Sequence, residues 1–275
     1  MEQQANGSWR FVMSGLALAT GLLVGATALG QRAGEEEAAA AAPATQASID
    51  AQTGKILNEA IELLNMEKHA EAKARIDTLA LDKLSPYERG RTEQILFNIA
   101  YAREQFQEAR DHLQKAIDSG GLNAQEIDAA RYQSAQLFLQ EEKWKEGAAA
   151  LEEWFKTAAT PNSAAYYLLA VAYYQQDDYT RALAPAKKAV ELMDKAKPNE
   201  SWLGMLSALH LQREEFREAI PVLELLVSVA PDKKQYWMQL SSVYGQMEDY
   251  ANALGVMQLA YSAGLVTDEI GRAHV

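Results

Sequence analysis

The sequence predicts an all-α fold, a solenoid of about six helix-turn-helix units. Three observations predict it. A small residue with an aromatic three places before it recurs along the chain at intervals of 37, 38, 35, 37 and 34 residues. Each unit so marked holds two amphipathic stretches of 3.6-residue period, separated by a polar turn. Pro86, Pro161, Pro198 and Pro231 fall between units, where a helix must stop. One helix pair cannot bury its own apolar face, so such units have to stack.

The 275 residues carry a formal net charge of -12 and are 48% apolar, enough to bury a core. The acidic balance argues against nucleic acid, which is gripped by clustered Lys and Arg, and against docking on anionic lipid. There is no cysteine. That excludes disulfides, thiolate metal sites, a cysteine nucleophile and a lipid-modified N-terminal cysteine.

At the N-terminal end, Arg10 precedes an uncharged apolar stretch over 11–30, and Ala26-Thr27-Ala28 supplies a small-x-small cleavage pattern. Residues 1–28 therefore read as a secretory signal peptide. The alternative is an uncleaved signal anchor, because about 20 apolar residues span a bilayer. Residues 29–52 follow, with Glu35-Glu36-Glu37 and an alanine run before Pro43. They read as a disordered, acidic and Ala-rich tether.

The solenoid is expected over 53–269. Its marker pairs are His69 with Ala72, Phe106 with Ala109, Trp144 with Gly147, Tyr179 with Ala182, Phe216 with Ala219, and Tyr250 with Ala253. Histidine takes the aromatic place in the first. The small residues belong where two helices cross, and a large side chain there would overpack the contact by roughly 1–3 kcal/mol. Gln175-Gln176-Asp177-Asp178 and Gln246-Met247-Glu248-Asp249 are two of the polar turns.

In the last unit Trp237, Leu240, Tyr244, Tyr250, Ala253 and Ala260 fall at repeat positions 4, 7, 11, 17, 20 and 27. In the fourth, Tyr166, Leu169, Ala170, Tyr173, Tyr179, Ala182 and Ala189 fall at 4, 7, 8, 11, 17, 20 and 27. These residues resemble the tetratricopeptide-repeat (TPR) family. The resemblance implies a right-handed superhelical solenoid that works by binding other proteins. It also implies a concave face lined by positions 5, 9, 12 and 13. That face would present Tyr132, Gln136, Gln140, Tyr167, Tyr174, Gln175, Met238 and Gln246, a neutral surface rich in aromatic rings and amides. TPR domains that grip a C-terminal carboxylate place Lys at position 5 and Asn at position 9. Here those places hold Tyr132 and Gln136, Tyr167 and Val171, and Met238 and Ser242. An extended protein or peptide segment is then the expected partner. The competing reading is that the tyrosines only pack between repeats.

Nothing in the chain reads as an enzyme. His69, His112, His210 and His274 have no neighbours at a zinc-binding spacing. There is no phosphate-binding loop, no dinucleotide glycine pattern and no G-x-S-x-G elbow. Asp177-Asp178 falls in a turn and reads as solvated or capping. Gly120-Gly121 reads as a helix end. No cofactor and no metal are expected.

Three further segments carry a narrower resemblance: Asp82-Lys83-Leu84-Ser85-Pro86-Tyr87-Glu88, then Pro231-Asp232-Lys233-Lys234 with Tyr236-Trp237, then Leu259-Ala260-Tyr261 with Gly264-Leu265. They resemble exported proteobacterial TPR proteins encoded beside TonB, ExbB and ExbD. That resemblance implies a periplasmic accessory of TonB-dependent uptake, with components of that system as partners. The alternative is an inner-membrane-anchored TPR scaffold, facing the periplasm, for envelope assembly or protein quality control. Cleavage after residue 28 separates the two. The final residues 270–275 read like a translated sequencing adapter, and the natural protein is expected to continue with more repeats.

Overall fold

A computed structural model describes residues 48–266. The expected signal segment, nearly all of the tether, and residues 270–275 lie outside the described residues. The described residues divide into two compact units that part between Leu122 and Asn123. All regular structure among the described residues is helical: twelve α-helices and one short 3-10 turn.

The first unit holds two helix hairpins, α1 (Ala51–Asn65) with α2 (His69–Ile76), and α3 (Pro86–Ala102) with α4 (Phe106–Asp118). α1 starts two residues before the expected boundary because Asp50 caps it, accepting from the amides of Gln52 and Thr53. α3 starts on a capping box: the Ser85 hydroxyl accepts from the Glu88 amide, and the Glu88 carboxylate reaches back to the Ser85 amide. Pro86 takes the first helical place, where a missing N–H costs nothing. Leu57, Ala60, Ala72, Ile76, Ile95, Leu96 and Ile99 form the core between α1, α2 and α3.

The second unit holds four hairpins: α5 (Ala124–Gln140) with α6 (Trp144–Phe155), α7 (Ser163–Tyr174) with α8 (Tyr179–Glu191), α9 (Glu200–Gln212) with α10 (Phe216–Val229), and α11 (Lys234–Gln246) with α12 (Tyr250–Ser262). The second helix of each hairpin packs on the first helix of the next. Leu203, Ala219, Leu223, Leu226, Tyr236, Leu240 and Val243 make a core shared by the last two hairpins.

The recurring small residues sit at the helix crossings. Ala72, Ala109, Ala182 and Ala219 have no exposed surface. At Gly147 a Cβ would stand 2.2 Å from Cδ2 of Leu139, so a side chain there would have to displace that leucine. Ala253 is only half-buried. Around it α12 leaves Tyr250, Leu254, Leu259 and Tyr261 exposed.

Every hairpin turns in the same way. Glu67, Glu104, Glu142, Asp177, Glu214 and Glu248 each adopt a left-handed φ of 56–60°. The next residue returns its amide to a carbonyl five places earlier, as Lys143 does to Phe138 at 2.9 Å and Glu215 to His210 at 2.9 Å. This is the helix-ending motif that usually takes glycine or asparagine at the left-handed position. Here an acidic residue bears that strain six times.

Candidate functional site

The groove residues expected from the repeat register lie on or at the end of the first helices α5, α7 and α11 of three hairpins in the second unit. The eight are not equivalent. Gln140 and Gln246, each the last residue of its helix, are exposed; Tyr132, Gln136, Tyr174, Gln175 and Met238 are half-buried. Tyr167 is 5% exposed and belongs to the core.

Packing explains the difference. The Tyr132 ring on α5 tilts against Trp154 of α6 with centroids 4.7 Å apart. Burial pushes its phenol up to about 12. Tyr167 on α7 stacks on Trp202 of α9 at 5.5 Å and 26°. Burial raises its phenol as well, and its hydroxyl has no hydrogen-bond partner. Tyr174 at the end of α7 leans on Tyr179 across the turn at 5.3 Å. Burial, then the charge of Asp177, raises its phenol. Each of these tyrosines therefore pairs with a ring outside the expected set.

A cleft lies one step further along the face, between α9 and α11. Its volume is about 370 Å³. Gly204, Ser207, Ala208, Leu211 and Gln212 of α9 line one side, and Tyr236 and Gln239 of α11 the other. No lining side chain is charged. Asn199 starts α9, its side chain accepting from the Trp202 amide at 3.2 Å. The Trp237 indole donates to the Pro231 carbonyl at 2.9 Å and fixes the start of α11. Glu200 accepts from both the Tyr236 hydroxyl and Lys233. That double contact holds the Glu200 carboxyl below its ordinary value, Lys233 first. Burial, and then Glu200, push the Tyr236 phenol up to about 12. Ser207 is 2% exposed, and its hydroxyl has no partner.

Sequence reasoning missed this cleft, although its signal was present. Counted from Ala219, Gly204, Ala208, Leu211 and Gln212 take positions 5, 9, 12 and 13 of their repeat. The other repeats hold large aromatic and amide side chains at several of those places, Tyr132, Gln136 and Tyr167 among them. The cleft exists because two of the places hold glycine and alanine.

The buried histidines serve structure. His112 of α4 meets Glu93 of α3 at 2.6 Å, both within the first unit's interior. His210, near the end of α9, meets Glu215 across the turn at 2.8 Å. Among the described residues no group of three or more His, Asp or Glu side chains is placed to hold a metal ion. No described helix is long and apolar enough to cross a membrane.

Residues 132–200 match the tetratricopeptide repeat family model. No curated protein matches the chain. Among solved structures, the chain is similar to YrrB, a TPR protein with an unusual peptide-binding site. The identity is 16%, the match covers 62% of this chain and 84% of that one, and the TM-score is 0.51. It is similar to MamA at 14% identity, over 63% of this chain and 90% of that one, with a TM-score of 0.51. It is also similar to a TPR protein from Parabacteroides merdae at 14% identity, over 76% and 79%, with a TM-score of 0.54. At such identities the likeness shows the fold, and the helix hairpins of residues 48–266 have the tetratricopeptide-repeat fold.

Proposed function

We propose that this chain is a non-enzymatic scaffold that binds an extended segment of a partner protein along the first-helix face of its second unit. The observation that carries the reading is the uncharged cleft between α9 and α11, in the same register as Tyr132, Gln136 and Met238. TPR proteins as a class are scaffolds for protein-protein contact, and the similar fold of YrrB bears a peptide-binding site. With no charged lining, few counterions are released on binding, so the affinity should depend weakly on salt.

The finer reading is export. The signal-like residues 1–28 and the resemblance of 82–88, 231–237 and 259–265 to TPR proteins encoded beside TonB, ExbB and ExbD support a periplasmic accessory of that system. The same apolar stretch, if it stays uncleaved, supports an inner-membrane-anchored scaffold as the second reading. Crosslinking in intact cells, followed by recovery from envelope fractions, tests both. Mature protein beginning near Leu29 in a periplasmic extract, crosslinked to a TonB-system component, is the expected result. Recovery only from detergent-solubilised membranes with residues 1–28 attached selects the anchored scaffold. Crosslinks that fall on the opposite helices α6, α8 and α10 overturn the groove.

A further inference from the structure

The contact between α7 and α9 shows what the cleft between α9 and α11 lacks. Tyr167 lies 15 residues before Ala182, and Trp202 lies 17 residues before Ala219. Their rings stack across the two helices. One repeat later, the residue 15 before Ala219 is Gly204, and the residue 17 before Ala253 is Tyr236. The second ring of the pair is present, and the first is absent. A Cβ built on Gly204 meets nothing within 4 Å. Tyr236 and Gly204 both line the cleft.

We propose that the α9–α11 cleft is a seat for an aromatic side chain of the bound segment, tyrosine above all, which stacks beside Tyr236 and hydrogen-bonds Ser207. The inference rests on the peptide-binding reading of this face. It names the residue that the face selects.

Room, chemistry and charge agree. The cleft's 370 Å³ exceeds twice the roughly 150 Å³ apolar cavity known to hold benzene. Tyr236 is held in place by its hydrogen bond to Glu200, so its ring need not reorganise when a ligand arrives. Ser207 offers a hydroxyl that is nine-tenths buried and unpartnered. A buried polar group left unmade is costly, and a ligand that supplies the missing hydrogen bond recovers that cost. A phenol can both donate and accept, so it suits the serine in either orientation. The amides of Gln212 and Gln239 stand on the walls for the peptide backbone. A carboxylate has no counter-charge among the lining residues, and the nearby Lys233 is engaged by Glu200.

The test uses the full chain and three capped alanine pentapeptides with a central tyrosine, phenylalanine or leucine. Binding is read from the methyl NMR signals of Ala208, Leu211 and Met238. The tyrosine peptide should bind about fivefold tighter than the phenylalanine peptide, and that one about fivefold tighter than the leucine peptide. Ser207→Ala should erase the preference for tyrosine over phenylalanine and leave the phenylalanine affinity unchanged. Gly204→Tyr should restore the missing ring from within, raise the melting temperature, and abolish the Ala208 and Leu211 shifts. If that variant does not fold, the Ser207→Ala comparison decides alone. Equal affinity for leucine and tyrosine overturns the proposal, and so does undiminished binding to Gly204→Tyr. Shifts at Met238 without shifts at Ala208 and Leu211 overturn the aromatic seat and leave the wider groove standing. Failure of every peptide overturns the seat, and the crosslinking map then judges the groove separately.

Discussion

A Cβ placed on Gly121 would stand 2.1 Å from the carbonyl oxygen of Pro86. The chain leaving α4 thus runs against the first turn of α3, backbone to backbone, and only a residue without a side chain fits. The obstacle is main chain, so no rotamer change relieves it. Gly121→Ala should destabilise the first unit by about 3 kcal/mol, the top of the overpacking range. Gly120 is the control. Its φ is +70° but the space around it is open. Gly120→Ala should cost about 1 kcal/mol through the left-handed backbone alone. Urea unfolding of both variants measures the difference. Equal small losses would mean that the end of α4 can swing away.

The six acidic turn residues make the opposite prediction. Glu142 is exposed and holds a φ of 58°. The turn around it is already closed by the bonds from Glu142 to Leu139 and from Lys143 to Phe138. Glycine would adopt the same φ without strain and leave those bonds intact. Glu142→Gly should therefore raise stability by about 0.5–1 kcal/mol, after the entropy of the more flexible unfolded chain is counted. A loss in denaturant unfolding would show that the carboxylate contributes to the turn.

The helix crossings rank themselves by burial. Ala219 has no exposed surface and lies in the core of the last two hairpins. Ala253 holds the same repeat position but is half-buried on α12. Leucine at 219 has nowhere to go, and about 1–3 kcal/mol should be lost. Leucine at 253 can extend along the open face of α12 and should cost under about 1 kcal/mol. Matching losses in thermal melts would place Ala253 at a closed crossing.

The register of the hairpins was legible because packing imposes it locally. Ala182 and Ala219 must be small wherever helices cross, and Tyr179 and Phe216 follow each turn by rule. Three features were harder to see, each for a physical reason. The left-handed turn at Glu142 carries no glycine or asparagine to announce it. The stack of Tyr167 on Trp202 joins residues 35 apart in different repeats, a pairing that no local period exposes. The α9–α11 cleft is defined by what Gly204 and Ala208 lack. Between Asp82 and Glu88, Ser85 and Glu88 have the three-residue spacing of a capping box, a helix start legible from the residues themselves.

Glu88 makes the first unit acid-sensitive. Its carboxylate accepts from the Ser85 hydroxyl at 2.7 Å, the Ser85 amide at 2.9 Å and the Asp50 amide at 2.8 Å. Those contacts, the Ser85 hydroxyl first, hold its carboxyl below the ordinary value of 4.5. A depressed folded-state value means that the charged form stabilises the fold. That contribution is complete above 4.5 and is lost as the pH falls through the depressed value. Glu88→Gln cannot titrate there. The stability gap between the native chain and Glu88→Gln should be constant from about pH 7 to about pH 5 and shrink toward pH 3. A gap that stays constant in acid would remove the carboxylate from the account.

Tyr167 separates packing from polarity in one side chain. Its ring is buried against Trp202, so Tyr167→Ala should cost about 3–5 kcal/mol, as large-to-small core changes do. Its hydroxyl is buried without a partner, which is unfavourable on its own account. Tyr167→Phe keeps the stack and removes the unmet hydroxyl, so it should raise stability by about 1 kcal/mol. Tyr174 is half-buried and leans on Tyr179 across the turn. Tyr174→Ala should cost about 1 kcal/mol, within the ordinary range for partly exposed sites. Melting curves of the three variants give the order directly: Tyr167→Phe above the native chain, Tyr174→Ala slightly below it, Tyr167→Ala far below. If Tyr167→Phe instead melts lower than the native chain, the hydroxyl has a partner, and a water bridge between α7 and α9 is the arrangement to look for.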